Sequence, residues 1–250
     1  MSVGLSDQGR KRGLNEDSLV LDPGLQLFVV ADGMGGHAGG AKASEMAVKV
    51  IDEEMRALWA SPASPFSSQA AMKDSPFAYY LQAAVERACS KIFNKAQQDS
   101  QFNGMGTTVI ALLFHGDYAV VAHVGDSRAY IIREGAINQI GEDHSLVNEQ
   151  VKAGMITPEE AKRSNYRNII TRSVGFEEEV AVDMMGVSTE VEDVFILCSD
   201  GLTNAVEDAE MLGIVVSTSS LEEIPRKMIA LANERGGEDN ITVVIVKRVS

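Results

Sequence analysis

The chain has 250 residues, enough to bury one sizeable core. Its formal net charge of −14 excludes the basic footprint that nucleic acid requires and disfavours an anionic membrane surface. Its 45% hydrophobic content suits a globular domain, yet no apolar run approaches the ~20 residues that span a bilayer.

The first residues, Met1 to Asp7, lack a basic flank followed by an apolar stretch, so no signal peptide is expected. Residues 17–31 read as two strands around the turn Asp22-Pro23-Gly24. Residues 41–58 read as a helix, with Ala43, Met46, Ala47, Val50, Ile51 and Leu58 on one face. Residues 60–76, rich in Ser, Pro and Ala, read as a surface loop. A second helix is predicted from about Phe77, with Pro76 in its first turn and a stripe from Phe77 to Ile92.

Strands follow consecutively. Thr107 to Phe114 turns at His115-Gly116-Asp117 into Tyr118 to Val124, and Arg128 to Arg133 turns at Glu134-Gly135 into Ala136 to Ile140. Such short Gly-containing turns imply antiparallel hairpins. Residues 142–172 interrupt the strands with short helices, one opened by the capping box Thr157-Pro158-Glu159-Glu160. Strands resume at about 180–188 and 194–199. Ser220-Leu221-Glu222-Glu223 reads as the cap of a last helix that Gly236-Gly237 ends, and 241–247 is a final strand. Strand runs and helix runs are segregated, so the expected fold class is α+β with mostly antiparallel sheets, in one domain over residues 1–250. Cys89 and Cys198 form no Cys-x-x-Cys unit, which points to a reducing compartment, the cytoplasm.

Carboxylates stand where the apolar runs begin or end. Asp17 opens the run Ser18 to Leu21, and Asp32 follows Leu25 to Ala31. Asp126 follows Tyr118 to Gly125, Asp200 follows Val194 to Ser199, and Asp239-Asn240 precedes Ile241 to Val246. A carboxylate at the rim of a buried strand is costly without a partner, and several together suggest rims that converge on cations. With few histidines and no cysteine beside them, the ligand set is hard oxygen, which favours Mg²⁺ or Mn²⁺ over zinc or copper.

Gly33-Met34-Gly35-Gly36-His37-Ala38 fits the dinucleotide-binding pattern G-x-G-x-x-A after a strand and before a helix. That pattern needs an acid at the end of a second parallel strand, whereas Asp52, Glu53 and Glu54 lie inside the helical pattern of 41–58. Hairpins also dominate where crossovers should recur. A nicotinamide enzyme is therefore a distant alternative. In the other reading Asp32 is a metal ligand, and the glycines permit a sharp chain reversal close to the ions.

With these residues assembled, the whole chain resembles the PP2C (PPM) family of metal-dependent protein Ser/Thr phosphatases, in its compact bacterial form. The resemblance rests on Ser6 to Asp17, Val30 to His37, Gly106-Thr107-Thr108, Val124 to Ala129, Ile170 to Gly175, Leu197 to Leu202 and Asp239 to Val243, in family order. It implies a central antiparallel β-sandwich flanked by helices (αββα, four layers), with a binuclear Mn²⁺ or Mg²⁺ site at one end. Carried over by motif, Asp32 bridges both ions. The Gly33 carbonyl binds one ion, and Asp200 with Asp239 binds the other. Glu16 and Asp17 act mainly through metal-bound waters, and Asp126 with Asp200 holds a third, weaker ion. Arg12 grips the substrate phosphate, for which a guanidinium's two parallel donors are suited.

Two metal ions lower the pKa of a bridging water and offset charge during in-line displacement, so no cysteine or serine nucleophile is needed. Animal members of the family carry a histidine directly after the Asp-Gly pair. Met34 stands there in this chain, His37 lies three residues on, and a metal-bound water is left to protonate the leaving alkoxide. His115, His123 and His144 receive no function. The 142–172 segment resembles the family's flap, and its Lys152, Lys162, Arg163, Arg167 and Arg172 are placed to steer an anionic phosphopeptide. The expected activity is metal-dependent hydrolysis of phosphoserine and phosphothreonine in proteins by a monomer. Its implied partners are a Hanks-type Ser/Thr kinase and that kinase's substrates. A phosphoprotein-binding pseudophosphatase, the rival class, predicts loss of metal ligands, and Asp32, Asp200 and Asp239 are all present.

Overall fold

The computed structural model describes residues 1–35, 39–60 and 76–249. Gly36, His37, Ala38 and residues 61–75 of the expected 60–76 loop lie outside the described residues. One sheet is built from β1 (Ser2–Asp7), β11 (Ile241–Lys247), β10 (Val194–Cys198), β7 (Arg128–Arg133) and β8 (Ala136–Ile140), in that order. The other orders β2 (Asp17–Asp22), β3 (Leu27–Met34), β5 (Val109–His115), β6 (Tyr118–Val124) and β9 (Asp183–Ser188), and the short β4 (Gly106–Thr107) pairs with β3. The strand pairs of both sheets are antiparallel. That includes the partners of β3, the strand before the glycine loop, so the parallel βαβ unit of a nicotinamide fold is ruled out.

The four layers follow from the period of the strands. Along β3, Leu27, Val29 and Ala31 face α1 (Gly39–Trp59) and α2 (Pro76–Gln98), while Phe28 and Val30 face the second sheet. Along β11, Ile241, Val243 and Ile245 face α5 (Asp200–Thr203), α6 (Asp208–Ser217) and α7 (Glu223–Glu234), while Val244 and Val246 point between the sheets. Successive side chains point to opposite faces, and here both faces are buried. That is why these strands read as unbroken apolar runs rather than alternating ones.

The helices form for sequence-local reasons. Ala43, Ala47, Val50 and Ile51 of α1 are buried against β3 and α2, with Met46 and Leu58 packed at the margin. The helix α4 (Pro158–Arg163) has the expected capping box. Thr157 Oγ1 accepts from the Glu160 amide, and the Glu160 carboxylate accepts from the Thr157 amide at 2.8 Å. Gly236 and Gly237, both at positive φ, end α7, and the Gly237 amide reaches the Ala232 carbonyl. The start of α7 differs from expectation. Glu222 is already in the helical region, no side-chain cap is made, and Ser220 contributes only its backbone carbonyl. The chain winds into α7 through a continuous turn, so the Ser220 hydroxyl is not placed to cap it. The strand β1 and the helices α5 and α6 were not expected from sequence. Among the described residues no helix is long and apolar enough to cross a membrane.

Phe195 lies at the centre of the inter-sheet layer, fully buried and edge-on to Phe114 at 5.2 Å between ring centroids. Phe195→Ala is expected to lower unfolding free energy by about 3–5 kcal/mol. Exposed Val191→Ala, by contrast, is expected to change it by less than about 0.5 kcal/mol. Urea unfolding at constant m-value checks both, and similar losses in the two variants would refute the layer assignment.

Candidate active site

Strand ends from both sheets meet at one end of the sandwich. Pairing of β2 with β3 sets Asp17 directly opposite Asp32. In the other sheet Cys198, the last residue of β10, pairs with Arg128 and Val243. The segments carrying Asp200, Asp126 and Asp239 therefore leave their strands together.

These acids are buried and act on one another electrostatically. Burial pushes the Asp32 carboxyl well above the carboxylate range, and the charges of Asp17, Asp200, Asp126 and Asp239 add to the shift. Burial likewise raises Asp17 to about 7, with Asp200 and Asp239 adding to it while hydroxyl donors hold it down. Burial raises Asp126 to about 8, helped by Asp200 and Asp143. Asp200 rises to about 6 through burial and then the charge of Asp239. Glu16 is raised mainly by burial, and the first amides of α1 partly offset this.

The residues fit a divalent cation. Glu16 Oε1, Asp17 Oδ1, Asp126 Oδ1 and Asp200 Oδ1 are buried without a hydrogen-bond donor. Buried anionic oxygens of this kind require a positive partner, and an all-oxygen set suits Mg²⁺ or Mn²⁺. Among the described residues the acids do not close into a finished cage. Asp126 and Asp200 instead open onto a groove of about 1100 Å³.

Each acid is set by neighbours from distant parts of the chain. Asp17 Oδ2 accepts hydrogen bonds from Ser199 Oγ at 2.8 Å and Thr242 Oγ1 at 2.6 Å. The backbone of Asp32 is clamped by two threonines. Its amide donates to Thr108 Oγ1 at 2.9 Å, and its carbonyl accepts from Thr107 Oγ1 at 2.9 Å. Thr108 Oγ1 in turn meets Ser127 Oγ at 2.7 Å, beside Asp126. Gly33 is glycine by necessity, since a Cβ there would run into the Gly40 carbonyl and the Glu16 backbone.

Asn240 ties the remaining loop. Its Oδ1 accepts from the Glu16 amide at 2.8 Å, and its Nδ2 donates to the Gln8 and Leu14 carbonyls at 2.8 and 3.0 Å. The loop so held carries Arg12, which is exposed and donates through Nη2 to Asp239 Oδ2 at 2.7 Å. That hydrogen bond to Asp239 raises the guanidinium pKa.

The structure thus brings together Arg12, Glu16, Asp17, Asp32, Gly33, Asp126, Asp200 and Asp239. Met34 closes β3, and His37 lies outside the described residues. His123 and His144 stack at 4.7 Å between centroids, with His144 Nδ1 accepting from the Gly125 amide. His115 packs on Phe77. Sequence reasoning did not single out Ser199, Thr242, Thr108 or Asn240 as positioning groups. The available signal was small polar residues directly beside strand-end acids, or facing them across a strand pair.

Residues 9–241 match the sequence pattern of the family described as Protein phosphatase 2C. The chain is 38% identical over 246 residues to the serine/threonine phosphatase stp of Listeria innocua, covering 97% of this chain and 94% of that one. Its fold matches a crystal structure of the Mycobacterium tuberculosis serine/threonine phosphatase PstP/Ppp with a TM-score of 0.88 at 33% identity, over 100% of this chain and 99% of that one. A structure of the catalytic domain of PstP in complex with 2 manganese ions matches with a TM-score of 0.86 at 33% identity, covering 100% and 98% of the two chains. Sequence pattern and layered architecture agree over nearly the full length, and the chain belongs to the protein phosphatase 2C family, as a serine/threonine phosphatase.

Proposed function

We propose that this chain hydrolyses phosphoserine and phosphothreonine in proteins, using two Mn²⁺ or Mg²⁺ ions held by the converging carboxylates. One observation carries the reading. Buried carboxylate oxygens without donors gather at a sandwich end that also presents an exposed arginine. Asp32 is the shared ligand, the Gly33 carbonyl serves one ion, and Asp200 and Asp239 serve the other. Glu16 and Asp17 act mainly through waters, and the hydroxyls of Ser199 and Thr242 keep Asp17 oriented for that role. Asp126 with Asp200 provides a third, weaker site.

Held by these residues, two such ions would supply Lewis-acid activation of water near neutral pH and would offset charge on the phosphoryl group. Arg12 supplies paired donors to the phosphate oxygens, and its loop is held for this by Asn240. The partners such an activity requires are phosphorylated proteins and the Hanks-type kinase that phosphorylates them. The reading takes a single copy of the chain as the acting unit. Free, buried Cys89 and Cys198 suit the reducing cytoplasm.

With Mn²⁺ the protein should release phosphate from p-nitrophenyl phosphate and from a phosphothreonine peptide, and excess EDTA should abolish this. Asp32→Asn and Asp239→Asn should each lower kcat by more than about a hundredfold, beyond the loss typical of an outer ligand partner, with unchanged circular dichroism. Activity untouched by either substitution would remove the site assignment.

Arg12→Ala should lower kcat/KM by about ten- to a hundredfold and weaken inhibition by inorganic phosphate. Mn²⁺ affinity, read by calorimetry, should change less. The reverse pattern would show that Arg12 serves the metal site rather than the phosphate.

The raised acids fix a sign for pH. Their folded pKa values of about 7, 8 and 6 for Asp17, Asp126 and Asp200 exceed the ordinary aspartate value of 3.8. Their contribution to stability is full below about pH 4 and is lost as pH rises through 6 to 8. A divalent cation competes with the same protons. The gain in Tm on adding Mn²⁺ should therefore grow from pH 6 to pH 8, with proton release on binding. A gain that is flat or falling over that range contradicts the raised values.

A further inference from the structure

We infer that the groove between the flap and α6 selects phosphoproteins with an acidic side chain near the phosphorylated residue, read by Lys162 and Arg167. This rests on the phosphatase reading above and adds a charge preference to it. The groove starts at Asp126 and Asp200 and runs outward between the flap and α5–α6. Its volume of about 1100 Å³ slightly exceeds the ~300–1,000 Å³ of pockets that enclose a whole small ligand, so it takes more than a phosphoryl group.

The groove's charges are mostly committed. Arg128 is held by Asp143 at 2.7 Å, and Arg235 by Glu210 at 2.6 Å. Glu207, at the N-cap of α6, donates its amide to Glu210 Oε2 at 3.0 Å, and its own carboxylate lines the groove beside Asp208. Of the five flap cations, Lys152 pairs with Glu142, and Arg172 pairs with Asp183 at 2.5 Å. Arg163 does not line the groove. Lys162 and Arg167 do, both are exposed, and among the described residues neither makes an ion pair. Facing them is Asp208 at the start of α6. In a chain of net charge −14, two uncommitted cations beside the phosphate-handling end form a local positive field on one wall. A substrate segment in the groove therefore meets cations on the flap side and a carboxylate on the other. Its acidic side chain is drawn to the flap wall.

The test compares phosphothreonine peptides with Glu, Gln or Lys placed on the N-terminal or C-terminal side, at saturating Mn²⁺. For one of the two placements the wild type should show kcat/KM about fivefold higher for Glu than for Gln, as two exposed ion contacts allow. The preference should shrink between about 0.05 and 0.5 M salt. Lys162→Ala with Arg167→Ala should bring the ratio to about one, and Lys162→Glu with Arg167→Glu should favour the Lys peptide. Equal rates for Glu and Gln peptides in the wild type, with p-nitrophenyl phosphate still hydrolysed, overturn this inference alone. Failure to hydrolyse any of these substrates overturns the phosphatase reading and this inference with it. A preference that survives both double variants assigns the selection to other residues and also overturns it.

Discussion

The structure is organised around largely buried carboxylates that repel one another at the head of a groove. Two unit charges 4 Å apart interact by about 4 kcal/mol at the effective dielectric of a protein rim. The charges of four acids, Asp17, Asp200, Asp126 and Asp239, act on Asp32. Such a cluster exists only where the rest of the molecule over-determines it, or where protons or cations share the site. The three apolar layers do the over-determining. Asp17 and Asp32 sit in the β2–β3 ladder, Asp126 and Asp239 stand two residues before β7 and β11, and Asp200 opens α5 just after β10, so each is close to paired backbone.

The same strain explains the polar collar. Asp17 Oδ2 takes two hydroxyl donors while Oδ1 has none, so one oxygen is spoken for and the other faces the cluster. Ser199 also accepts from the Thr242 amide at 2.9 Å, so one hydroxyl joins β10, β11 and β2. The two threonines on Asp32 use backbone atoms only and leave its carboxylate uncommitted. Fixing the backbone while sparing the carboxylate oxygens is what a ligand position needs.

Much of this was legible in the sequence because of burial on both faces. Strands β3, β5, β6, β10 and β11 read as unbroken apolar runs, and a charged residue at the end of such a run stands out. The strand β1 did not read, because Ser-Val-Gly-Leu-Ser-Asp is half polar and only partly buried at a sheet edge. Its pairing with β11 depends on residues more than 230 positions away. The helix α6 was missed for the opposite reason, since its apolar residues are spread around it without a clear stripe. Asn240 and Thr242 stood in plain view beside Asp239. Their roles exist only across separations of about 225 residues, which no local pattern encodes.

Asn240 also bears on how binding phosphate and binding metal relate. Its neighbour Asp239 belongs to the acid cluster, while its own side chain holds the loop of Glu16 and Arg12. Arg12 then returns to Asp239 at 2.7 Å. A closed circuit of Asp239, Asn240, the 8–16 loop and Arg12 results, with one carboxylate facing both the acid cluster and the guanidinium. Charge placed on either side of Asp239 changes what the other side feels. A cation drawing on Asp239 weakens its hold on Arg12, and a guanidinium so released is free for an anion with better bidentate geometry. In the proposed reading, filling the acidic half of the site would make its basic half more available to phosphate.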